Sequence, residues 1–258
     1  MAEPILRRVR PEFAHLPGEA DLPYEDDEPL AESDYQLEPL DYAYNGLSTW
    51  FQDRADVAVQ ADMFVHYPVP GDNGKPKRRM LAPDVFVIFG VPKRQRLSYV
   101  VWEEGKAPDF VLEILSASTW RRDTVDKKAI YAAMGVREYW LLDPVGPFLT
   151  PPLIGYRPTR EDYVRIEAEP GTTATYMSDV LGLELRIDDD DRFRIRDPGS
   201  GFELRSHREL QDEVKAAQRR EAETRQREAD AREAAEQRAA EAERRLGDLE
   251  ARLRRKSE

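Results

Sequence analysis

The segment 107–143, APDFVLEILSASTWRRDTVDKKAIYAAMGVREYWLLD, puts a carboxylate in the middle of what reads as a buried strand. Phe110, Val111, Leu112, Ile114 and Leu115 form a continuous apolar run, the pattern of a strand covered on both faces. Glu113 interrupts it. Side chains alternate along a strand, so Glu113 shares a face with Val111 and Leu115. A carboxylate there is costly unless it is paired, protonated or bound to a metal. Whatever this chain folds into has to supply that partner.

Two neighbouring stretches offer one. Pro83-Asp84 precedes the apolar run Val85–Phe89 just as Pro108-Asp109 precedes the Glu113 strand. Proline suits the first position of a strand and holds the residue before it extended. Asp84 is therefore expected at the mouth of a second buried strand. Downstream, Asp123, Lys127 and Tyr131 are spaced i, i+4, i+8 and share one face of a helix. Ala129, Ile130, Ala133 and Met134 are expected to pack that helix on the sheet, and Gly135 to end it. A strand from 136 to 143 follows, cored by Tyr139, Trp140, Leu141 and Leu142. Two acids on adjacent strands suit a hard divalent cation, held by carboxylates, water and substrate phosphate. A lysine beside them can orient water or stabilise a charged phosphate.

Each residue also has an ordinary reading. Asp84 suits a strand-entry turn, Glu113 a buried ion pair, and Asp123 with Lys127 a pair on a helix surface. Taken together, P-D before five apolar residues, an acid flanked by apolar residues, and D-x-x-x-K-x-x-x-Y form a more specific pattern. With Ser116, Ser118-Thr119, Gly135-Val136, Glu138-Tyr139-Trp140 and Asp143, it resembles the Uma2 family of the PD-(D/E)XK, or restriction-endonuclease-like, nucleases, over residues 30–185. The resemblance implies an α/β (α+β) fold, a mixed sheet flanked by helices, and metal-dependent hydrolysis of DNA phosphodiester bonds with Mg²⁺, or Mn²⁺ in its place. It makes Asp84 and Glu113 the metal ligands and Lys127 the third catalytic residue, with Asp123 positioning the lysine and Tyr131 behind it. Leu115 stands where the wider superfamily has its strand lysine, and Lys127 matches a lysine moved to the helix. The superfamily often adds an acid near its first helix, which draws attention to Glu32 and Asp34.

Charge is unevenly spread along the 258 residues, whose net charge is −12. Residues 1–42 hold 3 Lys/Arg and 12 Asp/Glu, whereas residues 43–145 hold 14 and 13, so the acid excess lies outside the catalytic core. Three basic clusters in that core suit either phosphate contact or solvated loops: Lys75 to Arg79, Lys93 to Arg96, and Arg121-Arg122. Three regions are expected: an acidic, proline-rich arm (1–42), a nuclease-like core with a β-rich extension (43–205), and a charged helical tail (206–258).

In the core, Leu40, Ala43, Leu47, Trp50 and Phe51 recur at helical spacing. Val57, Val59, Ala61, Met63 and Val65 alternate as one strand, leaving Asp62 on its solvent side. Tyr99 to Trp102 suits a short edge element, and further strands are expected near 153–156, 163–166, 183–187 and 193–195. Asp188 to Asp191 reads as a hairpin tip. The tail is rich in Ala, Glu, Arg and Gln, strong helix formers. A seam through Ala235, Ala239, Ala242, Leu246, Leu249 and Leu253 alternates four and three residues as in a coiled coil. Homodimerisation through that helix or through the core is one expectation, a solvated single helix another.

Other chemistries are set aside. There is no cysteine, and the three histidines, His15, His66 and His207, have no zinc spacing. No phosphate-binding glycine loop and no G-x-S-x-G elbow occurs. Ser116 has no histidine partner to activate it. No apolar run spans a bilayer and residues 1–10 lack an apolar leader, so a cytoplasmic protein without membrane contact is expected. Two readings compete with a nuclease: a nuclease-fold binding module with weak or no catalysis, and an assembly protein acting through its helix.

Overall fold

The computed structural model describes residues 10–23, 33–159, 163–172 and 174–257. Helix α1 (Asp34–Trp50) leads into strands β1 (Val57–Ala61), β2 (Val65–Val69), β3 (Lys77–Leu81), β4 (Val85–Phe89) and β5 (Tyr99–Val100). A single turn, α2 (Val101–Glu104), precedes β6 (Phe110–Ile114). A π-helical turn at Arg122–Lys127 runs into α3 (Lys128–Met134), which returns to β7 (Glu138–Leu142). Five strands follow, β8 (Leu153–Pro158), β9 (Tyr163–Arg165), β10 (Thr175–Ser178), β11 (Leu183–Ile187) and β12 (Phe193–Arg196). Helix α4 (His207–Ser257) comes last.

The central sheet has six strands in the order β1-β4-β6-β7-β8-β9. Only β6 and β7 in it are parallel, joined by the helical crossover such a pair requires. Its two faces are covered differently. Phe110, Leu112 and Ile114 pack with Tyr42 and Leu47 of α1, with Phe51 just after it, and with Leu183, Leu185 and Ile195 of the three-stranded sheet β10-β11-β12. Val111 and Leu115 pack on the other face with Tyr131, Tyr139 and residues of the sheet β3-β2-β5. The mixed sheet, its flanking helices and the long final helix agree with the fold class read from the sequence.

Several local expectations change. The alternating run 57–65 is two strands in two sheets, because the chain breaks at Asp62, whose φ is 45°. Lys77 to Leu81 is a further strand, following a turn at Asp72–Gly74. Helix α1 begins before Pro39 and buries Tyr42, Ala43, Gly46 and Leu47, leaving Trp50 38% exposed. Strand β10 was not anticipated. It docks through a buried acid: Glu138 accepts hydrogen bonds from Trp140 Nε1 (3.0 Å), Ser178 Oγ (2.5 Å) and Val180 N (3.0 Å). Glu138 is thus a tie between sheets.

The chain divides into two units, Met1–His207 and Arg208–Glu258. The second is helix alone. Its described side chains are nearly all exposed, with Leu246 at 60%, and pairs such as Glu221–Arg225 and Glu241–Arg245 decorate it. No helix among the described residues is long and apolar enough to cross a membrane.

Gly155 on β8 faces the Trp140 ring so closely that an added Cβ would lie 2.6 Å from it. Gly155→Ala should therefore lower unfolding free energy by about 1–3 kcal/mol in urea titrations. An unchanged midpoint would show that β8 is not seated on Trp140 as described.

Candidate active site

Register brings the acids together. Strand β4 runs antiparallel to β6 with Val85 opposite Leu112, so Asp84, one residue earlier, falls opposite Glu113. The Ile114 N–H donates to Asp84 Oδ2 at 2.5 Å, fixing that carboxylate at the strand mouth. On the other side β1 pairs with β4, Ala61 opposite Val85, and the Asp62 N–H donates to the Asp84 carbonyl at 3.1 Å. Asp62, Asp84 and Glu113 therefore form one row across β1, β4 and β6.

The crossover brings the cation. Lys127 Nζ lies 2.9 Å from Glu113 Oε2 and 2.8 Å from Asp123 Oδ1. The Tyr131 hydroxyl donates to Glu113 Oε1 at 2.5 Å, so both oxygens of Glu113 are engaged. Asp123 and Lys127 both lie in or beside the π-helical turn, a local widening often found at functional sites. The Tyr139 hydroxyl donates to the Asp123 carbonyl at 2.7 Å and pins that turn to β7. Gly135, with φ 87°, ends α3 in the left-handed conformation that glycine adopts without strain. Glu113 and Asp123 are each 1% exposed and Lys127 8%, so this is a dry ionic network.

Its electrostatics are unbalanced, with four carboxylates and one ammonium. Burial pushes Glu113 up to about 8, and the charges of Asp84 and Asp123 add to the effect, against the pull of Lys127. Burial likewise raises Asp84 to about 6 despite Lys127 and the Ile114 N–H. Burial and then the charge of Glu113 raise Asp62 to about 6. Burial opposes the charge on Lys127, but Glu113, Asp123 and Asp84 outweigh it and hold the ammonium protonated above its ordinary range.

The donor set fits a hard divalent cation. Every convergent acid offers oxygen, and among the described residues Lys127 is the one cation paired with them. No three His, Cys, Asp or Glu among the described residues form a cage by themselves. Water and a substrate phosphate would have to complete the shell, as is usual for Mg²⁺. A cavity of about 750 Å³ lies elsewhere, along β1 between Tyr44, Phe51 and Arg96, and none of the four acids lines it.

Asp84, Glu113, Asp123, Lys127 and Tyr131, all singled out in the sequence, meet here. Asp62 was placed on the solvent side and instead joins the row, because its positive φ turns the chain out of the strand's alternation. Asp and Asn tolerate that conformation better than most residues, the one signal that could have marked the position. Asp34 is exposed at the start of α1 and is not among the strongest charges acting on Asp84 or Glu113. Glu32 lies outside the described residues. Ile130 and Met134 pack on the sheet as expected, with Ala132 and the buried Tyr131, whereas Ala129 and Ala133 are exposed. Lys128 points away, its Nζ 4.3 Å from the Tyr156 ring centroid. Ser116 bonds Ser118, Thr119 Oγ1 and the Thr119 N–H, a turn role. Arg94 and Arg96 are held by Glu104, so that basic cluster is structural.

Three acids titrating above their ordinary 3.8 or 4.5 mean that the folded protein holds more protons than the unfolded chain up to about pH 8. Their contribution to stability is complete below about pH 4 and declines as pH rises through 8. Glu113→Gln removes the largest of these contributions. In urea titrations of metal-free protein, wild type should lose more stability than the variant between about pH 5 and pH 8. Equal losses would contradict a strongly raised Glu113.

The family model Uma2, described as a putative restriction endonuclease, matches residues 37–188, more than half of the chain and the whole of the acid row. No curated protein matches. Among solved structures, a putative nuclease belonging to DUF820 from Anabaena variabilis ATCC 29413 is similar at 14% identity and a TM-score of 0.40, over 60% of this chain and 77% of that one. The chain belongs to the Uma2 family of restriction-endonuclease-like nucleases.

Proposed function

We propose that the protein is a divalent-metal-dependent endonuclease that hydrolyses phosphodiester bonds in DNA. The observation that carries the reading is the Asp84–Glu113–Lys127 constellation, two strand acids with a lysine 2.9 Å from the second. It reproduces the acid–acid–lysine set of this nuclease class although Leu115 occupies the usual lysine position. Family membership and the uncompensated negative charge support it further.

Asp84 and Glu113 would hold Mg²⁺, or Mn²⁺ in its place. A bound divalent cation supplies a Lewis acid that neutralises phosphate charge and lowers the pKa of water. Lys127, held protonated, donates a hydrogen bond to the phosphate or to the attacking water. Asp123 anchors the ammonium, so the lysine need not leave its network to face substrate. Tyr131 fixes the other oxygen of Glu113, limiting the carboxylate to one orientation. Asp62 extends the negative field along the row. The core, residues 43–205, carries this activity, with the acidic arm and the helical tail as appendages.

The test is cleavage of supercoiled plasmid and of single-stranded circles by full-length protein with Mg²⁺ or Mn²⁺. Glu113→Gln and Lys127→Gln should each slow cleavage by about 10²–10³-fold, with the fold intact by circular dichroism. Chelation should abolish it. Absence of cleavage by wild type with either metal would overturn the nuclease reading in favour of a binding module. Equal cleavage by wild type and Glu113→Gln would place the chemistry elsewhere.

A further inference from the structure

More than half of the described arginines of the folded unit are already neutralised. Nine of them, including Arg54, Arg96, Arg186 and Arg196, are ion-paired with a carboxylate. With 51 Asp and Glu against 39 Lys and Arg, that is the expected state of an arginine here. Arg79, Arg121 and Arg122 depart from it. All three are exposed, and no carboxylate among the described residues pairs with any of them.

They come from two distant segments and gather at one place. Register sets Arg79 on β3 directly across from Tyr67 on β2, so the two share a face of that sheet. Arg122 lies on the π-helical turn just after Trp120, and Trp120 packs against the same cluster that holds Tyr67. Tyr67 belongs to the aromatic face that also holds Trp120, Tyr131 and Tyr139. Beside it the Arg121 guanidinium lies 5.1 Å from the Trp120 ring centroid, and Trp120 is stacked on Phe148 at 5.5 Å and 15°. A guanidinium stacked on an aromatic ring is pre-positioned and keeps its in-plane N–H donors for an outside acceptor. Arg78, one residue from Arg79, falls on the opposite side of its strand, where its charge acts on His66.

Solvated loop charges are the ordinary reading of basic residues, and they have no reason to converge. Guanidiniums gathered on one face repel each other unless an anion joins them. Arg122 directly precedes Asp123, so this surface begins where the candidate active site ends. We infer that Arg79, Arg121 and Arg122 form a phosphate-binding face that seats the backbone of duplex DNA beside the acid row. The inference rests on the nuclease reading and adds to it the surface that holds the substrate.

Binding of a fluorescein-labelled duplex of about 25 base pairs, followed by anisotropy against salt concentration, tests it. Ca²⁺ replaces Mg²⁺, the duplex is checked for integrity afterwards, and each variant for an unchanged melting temperature. Affinity falls as salt to about the power 0.9 for each phosphate neutralised, so losing one contact costs about eightfold at 0.1 M salt. Arg79→Gln and Arg122→Gln should each weaken binding by about that factor and lower the logarithmic salt slope by about one. Arg192→Gln, an exposed residue in the turn before β12, a strand whose Phe193 and Ile195 pack on the other face of the central sheet, should change neither. Wild-type affinity and slope in the Arg79→Gln/Arg122→Gln double variant would overturn the inference while leaving the nuclease reading standing. Equal weakening by Arg192→Gln would also overturn it, as a general charge effect. A wild type that shows no salt-dependent DNA binding would overturn the DNA reading and this inference with it.

Discussion

The ion pair between Glu113 and Lys127 is the interaction on which the rest depends. A carboxylate in mid-strand, buried on both sides, costs several kcal/mol if nothing answers it. The crossover from β6 to β7 answers it twice, with the Lys127 ammonium and the Tyr131 hydroxyl. That explains why Tyr131 is the most deeply buried residue of α3, with Ile130, Ala132 and Met134 packed around it, and why a π-helical turn is tolerated just before it. Asp123 then holds the lysine, and Tyr139 holds the turn that carries Asp123. Structure and prospective chemistry use the same atoms.

The arrangement is electrostatically incomplete in two opposite ways. The acid row has more negative charge than Lys127 neutralises, and the charge surplus is stored as raised proton affinity in Asp62, Asp84 and Glu113. Next to it stand arginines without carboxylates, in a chain whose acids are in excess. A divalent cation satisfies the first and a polyanionic backbone the second. A metal with DNA supplies both together, which links the two halves of the proposal through charge alone.

Much of this was legible in the sequence where period and burial speak together. The apolar runs marking β4, β6 and β7 carried Asp84 and Glu113 with them, because an acid inside such a run is conspicuous. Lys127 and Tyr131 followed from helical spacing, and Gly135 from its place at the end of that spacing. Asp62 did not follow, because alternation assigned it to solvent and a single left-handed residue cancels alternation. Strand β10 was missed because Thr175 to Ser178 is too short a run to display a period, and what seats it, the buried Glu138, is distant in sequence. The placing of Arg79 and Arg122 around one aromatic cluster was equally hidden, since only strand register and the crossover bring those segments together.

The most direct measurement of the central claim is anomalous diffraction from crystals of the full-length protein soaked in Mn²⁺. The account predicts a peak within ligand distance of the Asp84 and Glu113 carboxylates, on the side of the row facing Lys127, and no such peak in Glu113→Gln. Mn²⁺ found only away from these residues, or bound there equally without the Glu113 carboxylate, would contradict it.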